Sequence, residues 1–474
     1  MLDGLLWVWP DDSPDAASAS AASAPELPAR LRDRAASSPA PLGWFVRELP
    51  YSYEVLVENL LDPAHLPFSH HGVVPVLQRS AGGPMPMKAP TATATAAAAG
   101  PGAATAAPTT ATAMPAQSEG SAGGGAAAAP APALPRHWAR PGGPDIELDF
   151  RGNISPDATI SFNAPHLITY TYRLPGGGES NVELVAIPVA PGRSRFLSPD
   201  PPQPAKGAPS RRPPMPPLHK LGLKRAANIA LMAMDLKLFS HRNLNTILDG
   251  DGVFLHVQDE VVRQVEAEAD AAEGSAGAST SGGGNGGAGS GAGVWSRAYY
   301  MATQADTAVL GARKWLEERA GGGPFRARAR RLLSSRAPGA SAGGAAANAA
   351  ADVLVGSKVP GAAPSSADRR RLLDRYEQHT RHCPHCSARL DQLQRAAEAA
   401  KAVRAAALLG LCAAVGAAGA LAAVQGAAAA LTGWPAALVA ACAALAAAAT
   451  TLGRVASSWA QEFLFMDYVH AEKD

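Results

Sequence analysis

The sequence predicts an α+β fold in which an antiparallel sheet is packed with helices and followed by a C-terminal helical hairpin long enough to cross a membrane. Three observations carry the prediction. Segments 146–150, 159–162, 167–172 and 181–188 alternate or run apolar between Pro-Gly and Asn-Ala-Pro punctuation, the pattern of strands joined by turns. Residues 228–239 and 302–319 place apolar side chains at helical spacing. Residues 405–424 and 434–452 carry no charge, and each is close to the roughly 20 residues needed to cross the hydrocarbon core.

Much of the 474-residue chain is Ala, Gly, Pro and Ser in runs that cannot bury a core. These runs are 11–28, 81–135, 199–217, 266–293 and 337–367. Each lies between segments richer in aromatic and β-branched residues and reads as an insertion in a surface loop, where added length costs little. With 42 basic residues against 40 acidic ones, no global field draws in nucleic acid. The basic runs 326–331 and 369–371 read as solvated linker, with an acidic membrane surface a better partner than DNA. Four cysteines are too few for a secreted disulfide framework. Residues 1–10 have neither a signal peptide's charged flank nor an Arg/Ser-rich transit character, and read as a strand entered mid-domain.

The chemistry concentrates after a short strand and helix over 44–61 that carries Leu56, Leu60 and Leu61. Asn59, Asp62, His65 and His70 fall within twelve positions. Two imidazoles five apart, joined by one carboxylate from elsewhere in the chain, can hold Fe(II) on one face and leave positions open for dioxygen. Pro63 and Pro67 exclude a regular helix through this stretch and favour a first-turn proline followed by a loop. His71 would point away from its neighbour and is either a supporting contact or uninvolved.

This stretch resembles the Asn-x-x-Asp-x-x-His-x-x-x-x-His motif of Rieske-type non-haem iron oxygenases, and its setting resembles the pheophorbide a oxygenase-like branch. The resemblance implies that His65 and His70 are iron ligands, and that Asp62 bridges to the Rieske [2Fe-2S] cluster of a neighbouring subunit in a homotrimer. It implies a curved, helix-wrapped sheet of the helix-grip, Bet v1/START-like kind, with a strand turn over 190–196. The family places its carboxylate ligand shortly before an apolar run ending in Gln. That position here is Asp251, seven before Gln258, with Asp249 the alternative. Read alone, Asp249-Gly-Asp-Gly252 is a turn or a fragment of a calcium loop. Asp306, Val309, Arg313, Trp315 and Leu316 are similar to a family helix beyond the sheet. Asn59 and His71 are candidates for contacts that support the iron ligands.

Cys383 and Cys386 form a Cys-x-x-Cys pair. It reads as a dithiol redox switch, or as half a zinc site with His379, His382 or His385, although no second pair at finger spacing completes a tetrahedron. In the resembled branch such a pair is thought to respond to thioredoxin. Cys383-Pro-His385 imitates half of a Rieske ligand set, but Arg389 stands three residues after Cys386, so the [2Fe-2S] ligands are absent. Residues 1–10 resemble the end of a Rieske domain, as though the chain begins where that domain closes.

Lys401 and Arg404 precede the first uncharged run and Arg454 follows the second, so both ends of a membrane hairpin lie on one side. Because alanine is only weakly apolar, a water-soluble helical hairpin is the alternative. Cys412 and Cys442 sit inside the runs as small apolar residues. Asp467 to His470 resembles the family's closing Asp-Tyr-Val-His. The expected organisation is a Rieske remnant at 1–10, a catalytic domain over 42–320 with insertions at 81–135, 199–217 and 266–293, a linker at 337–367, a Cys-x-x-Cys segment at 369–400, spans within 405–452 and a tail at 453–474.

By resemblance the expected function is a chloroplast-membrane oxygenase of chlorophyll metabolism. It uses Fe(II) and O2 on a tetrapyrrole, takes electrons from ferredoxin through a Rieske centre, and has its catalytic part on the stromal side. The alternative is a catalytically incomplete, membrane-anchored tetrapyrrole-binding or translocon-associated protein with a dithiol switch.

Overall fold

The computed structural model describes residues 43–73, 77–89, 145–152, 155–174, 177–201, 235–276, 294–325, 366–427 and 434–468, with two isolated positions, 32 and 36. Within these residues the chain is an α+β fold built on a seven-stranded antiparallel sheet of order β1-β7-β6-β5-β4-β3-β2. The strands are β1 (Trp44–Leu49), β2 (Met87–Lys88), β3 (Ile146–Gly152), β4 (Ser155–Asn163), β5 (Leu167–Arg173), β6 (Glu179–Ala190) and β7 (Arg193–Pro199). Strands β2 to β7 follow one another across the sheet, and β1 closes it beside β7 with Trp44 opposite Pro199 and Leu49 opposite Ser194. Alternation directs one side of each strand inward: Ile146, Leu148 and Phe150 in β3 are buried, as are Phe45, Arg47 and Leu49 in β1.

Helix α1 (Tyr53–Leu61) packs its apolar residues Val55, Leu56, Leu60 and Leu61 into the core formed with that face. After the short α2 (Leu66–Ser69), α3 runs over Leu236–Ala276 and α4 over Thr307–Arg319. Short helices α5 (Ser366–Leu372) and α6 (Arg375–Gln378) lead into α7 (Pro384–Gln425) and α8 (Trp434–Gln461).

Several sequence expectations change here. The Asp249-to-Gly252 stretch is neither a turn nor a calcium loop: it lies inside the 41-residue α3. Two glycines in a helix each cost about 1 kcal/mol relative to alanine, and both stand where a neighbour comes close. A Cβ on Gly250 would lie 2.9 Å from His70 Nδ1, and one on Gly252 would lie 3.2 Å from Leu373 Cδ2. Residues 266–276, counted as low complexity, continue α3, and β2 lies within the 81–135 run. Apart from 81–89, 199–201, 266–276 and 366–367, the five low-complexity runs lie outside the described residues, as do residues 1–10 and helical positions 228–234. The helix expected over 302–319 starts only at Thr307, behind a capping box between Thr303 and Asp306.

Helices α7 and α8 are long and apolar enough to cross a membrane. At 1.5 Å per residue they extend about 63 Å and 42 Å, so each outruns its uncharged segment. They pack through small residues: Ala397, Ala400, Ala407 and Ala414 on α7, and Ala446, Ala449, Ala456 and Ala460 on α8. Spacings of three, four and seven keep such residues on one stripe and let two backbones approach closely.

Arg47 sits at an inward position of β1 because a partner waits there. Its Nη2 lies 2.5 Å from Asp249 Oδ1, and its Nη1 donates to the Asn245 carbonyl at 2.9 Å. The second oxygen of Asp249 takes Arg375 Nε at 2.7 Å, and Arg375 Nη1 reaches the Glu462 carbonyl at 2.7 Å. One carboxylate therefore ties β1, α3, α6 and the residue after α8. Asp249→Asn leaves two buried guanidiniums facing each other, and is expected to destabilise the fold by about 3–5 kcal/mol. A lowered thermal midpoint of the detergent-solubilised chain is the readout.

Candidate metal centre

The loop after α1 is shaped by its prolines. Asp62 ends α1, its backbone N–H donating to the Asn59 carbonyl, and its Oδ1 accepts the Ala64 N–H at 2.8 Å to cap the next turn. Pro63 opens the 3-10 turn Pro63–His65, and Pro67 stands in the first turn of α2. Proline is tolerated at those positions because no intrahelical bond is lost there. Two short turns replace the regular helix the sequence excluded, and they bring the rings of His65 and His70 to 5.3 Å.

The imidazole Nε2 atoms of His65 and His70 are 3.3 Å apart. Asp251, arriving from α3, places Oδ2 3.2 Å from His70 Nε2 and 3.6 Å from His65 Nε2. Asn59 Nδ2 donates to the same oxygen at 3.0 Å. His70 and Asp251 are buried, and His65 is half-buried. Burial works to lower the His65 pKa, but the charge and hydrogen bond of Asp251, with Asp62 behind them, raise it to about 10. Burial works to raise Asp251, yet His65 and His70 hold it well below the usual carboxylate range. Three donor atoms thus surround one point that favours positive charge. Two imidazole nitrogens and one carboxylate oxygen form a donor set that fits a divalent iron.

The structure separates the two acidic candidates. Asp251 joins the histidines, whereas Asp249 is committed to Arg47 and Arg375. Asp62 stands at the rim with 35 % of its side chain exposed, Oδ2 3.6 Å from His65 Nδ1. His71 turns away and accepts the Arg79 N–H at 3.1 Å. The tail returns to this site: Tyr468 donates to the Ser69 carbonyl at 2.9 Å, one residue before His70.

The cluster opens into a cleft of about 320 Å³ lined by Asn59, Asp62, His65, Phe254, Met301 and Val309 among others. Glu58, which also lines the cleft, forms a buried ion pair with Arg313 behind it. Tyr299 donates to Glu58 at 2.9 Å, and Gln258 Nε2 donates to the Tyr299 hydroxyl at 3.0 Å. Sequence reasoning missed Glu58 and Tyr299. An acidic residue on an apolar helix immediately before Asn59 was the available signal for the former.

Cys383 and Cys386 lie at the start of α7 and meet histidines that the sequence only half anticipated. His379 reaches Cys386 Sγ at 3.3 Å, as does His241 of α3. His382 is bonded instead to Arg381, and His385 to Asp235. No second pair at finger spacing is present, as expected, but two histidines stand beside the cysteines. These histidines come from two separate elements rather than from one spaced motif.

The family described as Pheophorbide a oxygenase matches residues 162–269, which include Asp251. Over those residues, under a quarter of its length, the chain is similar to the pheophorbide a oxygenase family. It is 39% identical over 85 residues to pheophorbide a oxygenase, chloroplastic, of Oryza sativa subsp. japonica, covering 18% of this chain and 15% of the relative. It is 37% identical over 70 residues to protochlorophyllide-dependent translocon component 52, chloroplastic, of Arabidopsis thaliana, covering 15% and 12%. It is also 33% identical over 72 residues to flavonoid 8-hydroxylase 2, chloroplastic, of Ocimum basilicum, covering 15% and 13%. The matched segments thus span well under a fifth of each relative's length. No solved structure matches.

The close approach of Gly250 to His70 generates a prediction. Gly250→Ala favours the helix by about 1 kcal/mol but drives a methyl against the imidazole. Affinity for Fe(II) or Co(II) is expected to fall about 10- to 100-fold, with helix content by circular dichroism unchanged, in an anaerobic metal titration.

Proposed function

We propose that the protein is a membrane-attached oxygenase that uses Fe(II) and dioxygen to oxidise a chlorophyll-type tetrapyrrole, with His65, His70 and Asp251 holding the iron. The convergence of those three donor atoms on one point beside a cleft carries this reading. Iron bound there would supply the activation of dioxygen.

The remaining work falls to the chain's own groups. Asn59, by donating to Asp251 Oδ2, fixes the carboxylate's rotamer, so that it faces the two histidines. Gly250 allows the His70 ring to lie directly against α3. Phe254, Leu255, Met301 and Val309 offer an apolar wall to a flat macrocycle, and Gln258 and Tyr299 offer polar atoms to orient it. The cleft is open, so a large planar substrate can seat one edge beside His65 and leave the rest outside. Asp62, partly exposed and next to His65, is the entry point for electrons from a Rieske [2Fe-2S] centre of a neighbouring subunit, fed by ferredoxin. That route requires a homotrimer. The antiparallel sheet with helices across its face is read as a helix-grip, Bet v1/START-like architecture. The two apolar helices, together with three relatives whose names carry the word chloroplastic, support a chloroplast membrane location with catalytic part and tail on the stromal side.

The test is iron content of the anaerobically reconstituted chain. Wild type is expected to hold roughly one iron in this donor set, and His65→Ala and Asp251→Ala to lose it while remaining folded. A wild type that takes up no iron, or variants that keep it, would overturn the oxygenase reading in favour of a tetrapyrrole-binding module without catalysis.

A further inference from the structure

Four donor atoms from three places in the chain meet at a second point. They are His241 Nδ1 from α3, His379 Nε2 just after α6, and the Sγ atoms of Cys383 and Cys386 at the start of α7, all within 4.8 Å of one another. His241 Nδ1 and His379 Nε2 each lie 3.3 Å from Cys386 Sγ, and His241 Nδ1 lies 3.6 Å from Cys383 Sγ. A tetrahedral zinc with bonds of about 2.0–2.1 Å to nitrogen and about 2.3 Å to sulfur has nitrogen-to-sulfur edges of about 3.5 Å. The three separations lie close to that edge length, and all four donor atoms lie within the span such a site needs.

The hydrogen bonds on the far side of each ring set its protonation for metal binding. His379 Nδ1 lies 2.7 Å from the Val46 carbonyl, which can only accept, so that nitrogen carries the proton and Nε2 presents a lone pair to the sulfurs. His241 Nε2 lies 2.8 Å from Asp200 Oδ1, so the same logic leaves a lone pair on Nδ1. Asp200 is itself held by Lys237 at 2.6 Å and by its own N–H to the Gly43 carbonyl at 2.8 Å. Carboxylate and carbonyl acceptors behind imidazole ligands are the arrangement that orients histidines at zinc. Phe45 stacks on His379 at 4.4 Å and meets His241 edge-on at 5.1 Å, which fixes both rings.

We propose that His241, His379, Cys383 and Cys386 form a closed, four-coordinate structural site for a single zinc ion. His241, His379 and Cys386 are buried, and four protein donors leave no position for substrate, so the site is structural rather than catalytic. A two-iron cluster does not fit: there the thiolates and imidazoles bind different irons, too far apart for all four donors to lie within 4.8 Å of one another. The site joins the sheet edge through Phe45 and Val46, the helix that carries Asp251, and the helix that continues into the membrane hairpin. His241 and Asp251 share α3 and are ten residues, about 15 Å, apart along it, so zinc would fix that helix against the stalk of the hairpin. The inference is independent of the iron reading.

The experiment uses the full chain in detergent, in a His65→Ala background that removes the other cluster from the metal count. Roughly one zinc per chain is expected, lost in Cys383→Ser/Cys386→Ser and retained in His385→Ala. Replacement by Co(II) in the unsubstituted four-ligand site is expected to give intense tetrahedral visible bands and thiolate-to-cobalt charge transfer. Both cysteines should resist alkylation until a chelator is added. Absence of zinc, iron in its place, an octahedral Co(II) spectrum, or a Cys383–Cys386 disulfide in the isolated chain would overturn the proposal. The cobalt spectrum decides the matter even if the cysteine variants fail to fold.

Discussion

The shared carboxylate of Asp249 is the contact on which the arrangement of sheet and helices rests. A charged group taken out of water is tolerated only when its partners replace the lost solvation. Arg47 from β1 and Arg375 from α6 do so from either side. That requirement fixes where α3 lies against the sheet edge and which way it is turned. His241, Asn245 and Asp249, spaced four apart and all buried, form the stripe of α3 that faces β1 and α6. Asp251, two positions beyond Asp249, then leaves the helix in a different direction, and Gln258, seven beyond Asp251, lines the same cleft.

Rotation of one helix therefore sets two centres. One face presents Asp251 to His65 and His70; another presents His241 to His379 and the cysteine pair. The stripe between them is filled by ion pairs and hydrogen bonds that a small rotation would break. The segments that flank the apolar hairpin also close onto this body. Arg375 reaches the Glu462 carbonyl, Thr380 reaches the Phe463 carbonyl at 2.8 Å, and Tyr468 reaches Ser69. The residues flanking both apolar helices are thus tied to one another and to the loop that carries His70.

Local patterns were legible in the sequence for reasons that remain local. Strands β3 to β6 announce themselves by alternation and turn residues, and the two apolar helices by their uncharged length. Asn59, Asp62, His65 and His70 could be read together because one loop supplies all four. What misled was composition: Asp-Gly-Asp-Gly reads as a turn, since glycine disfavours helix, yet here glycine makes room for the His70 ring and for Leu373. Low aromatic content likewise made 266–276 resemble a loop although it extends α3.

The sequence by itself determined the α+β class, the two apolar helices and the grouping of His65 with His70, because periodicity and short-range spacing are properties of the chain. Tertiary structure alone placed Asp251 beside the histidines and Asp249 between Arg47 and Arg375, since two carboxylates two residues apart differ only in what each side of α3 meets. It alone brought His241 to Cys383, 142 residues away. No spacing rule connects such residues. Their meeting follows from burying β1, α3 and the start of α7 against one another, where each polar group must find its partner.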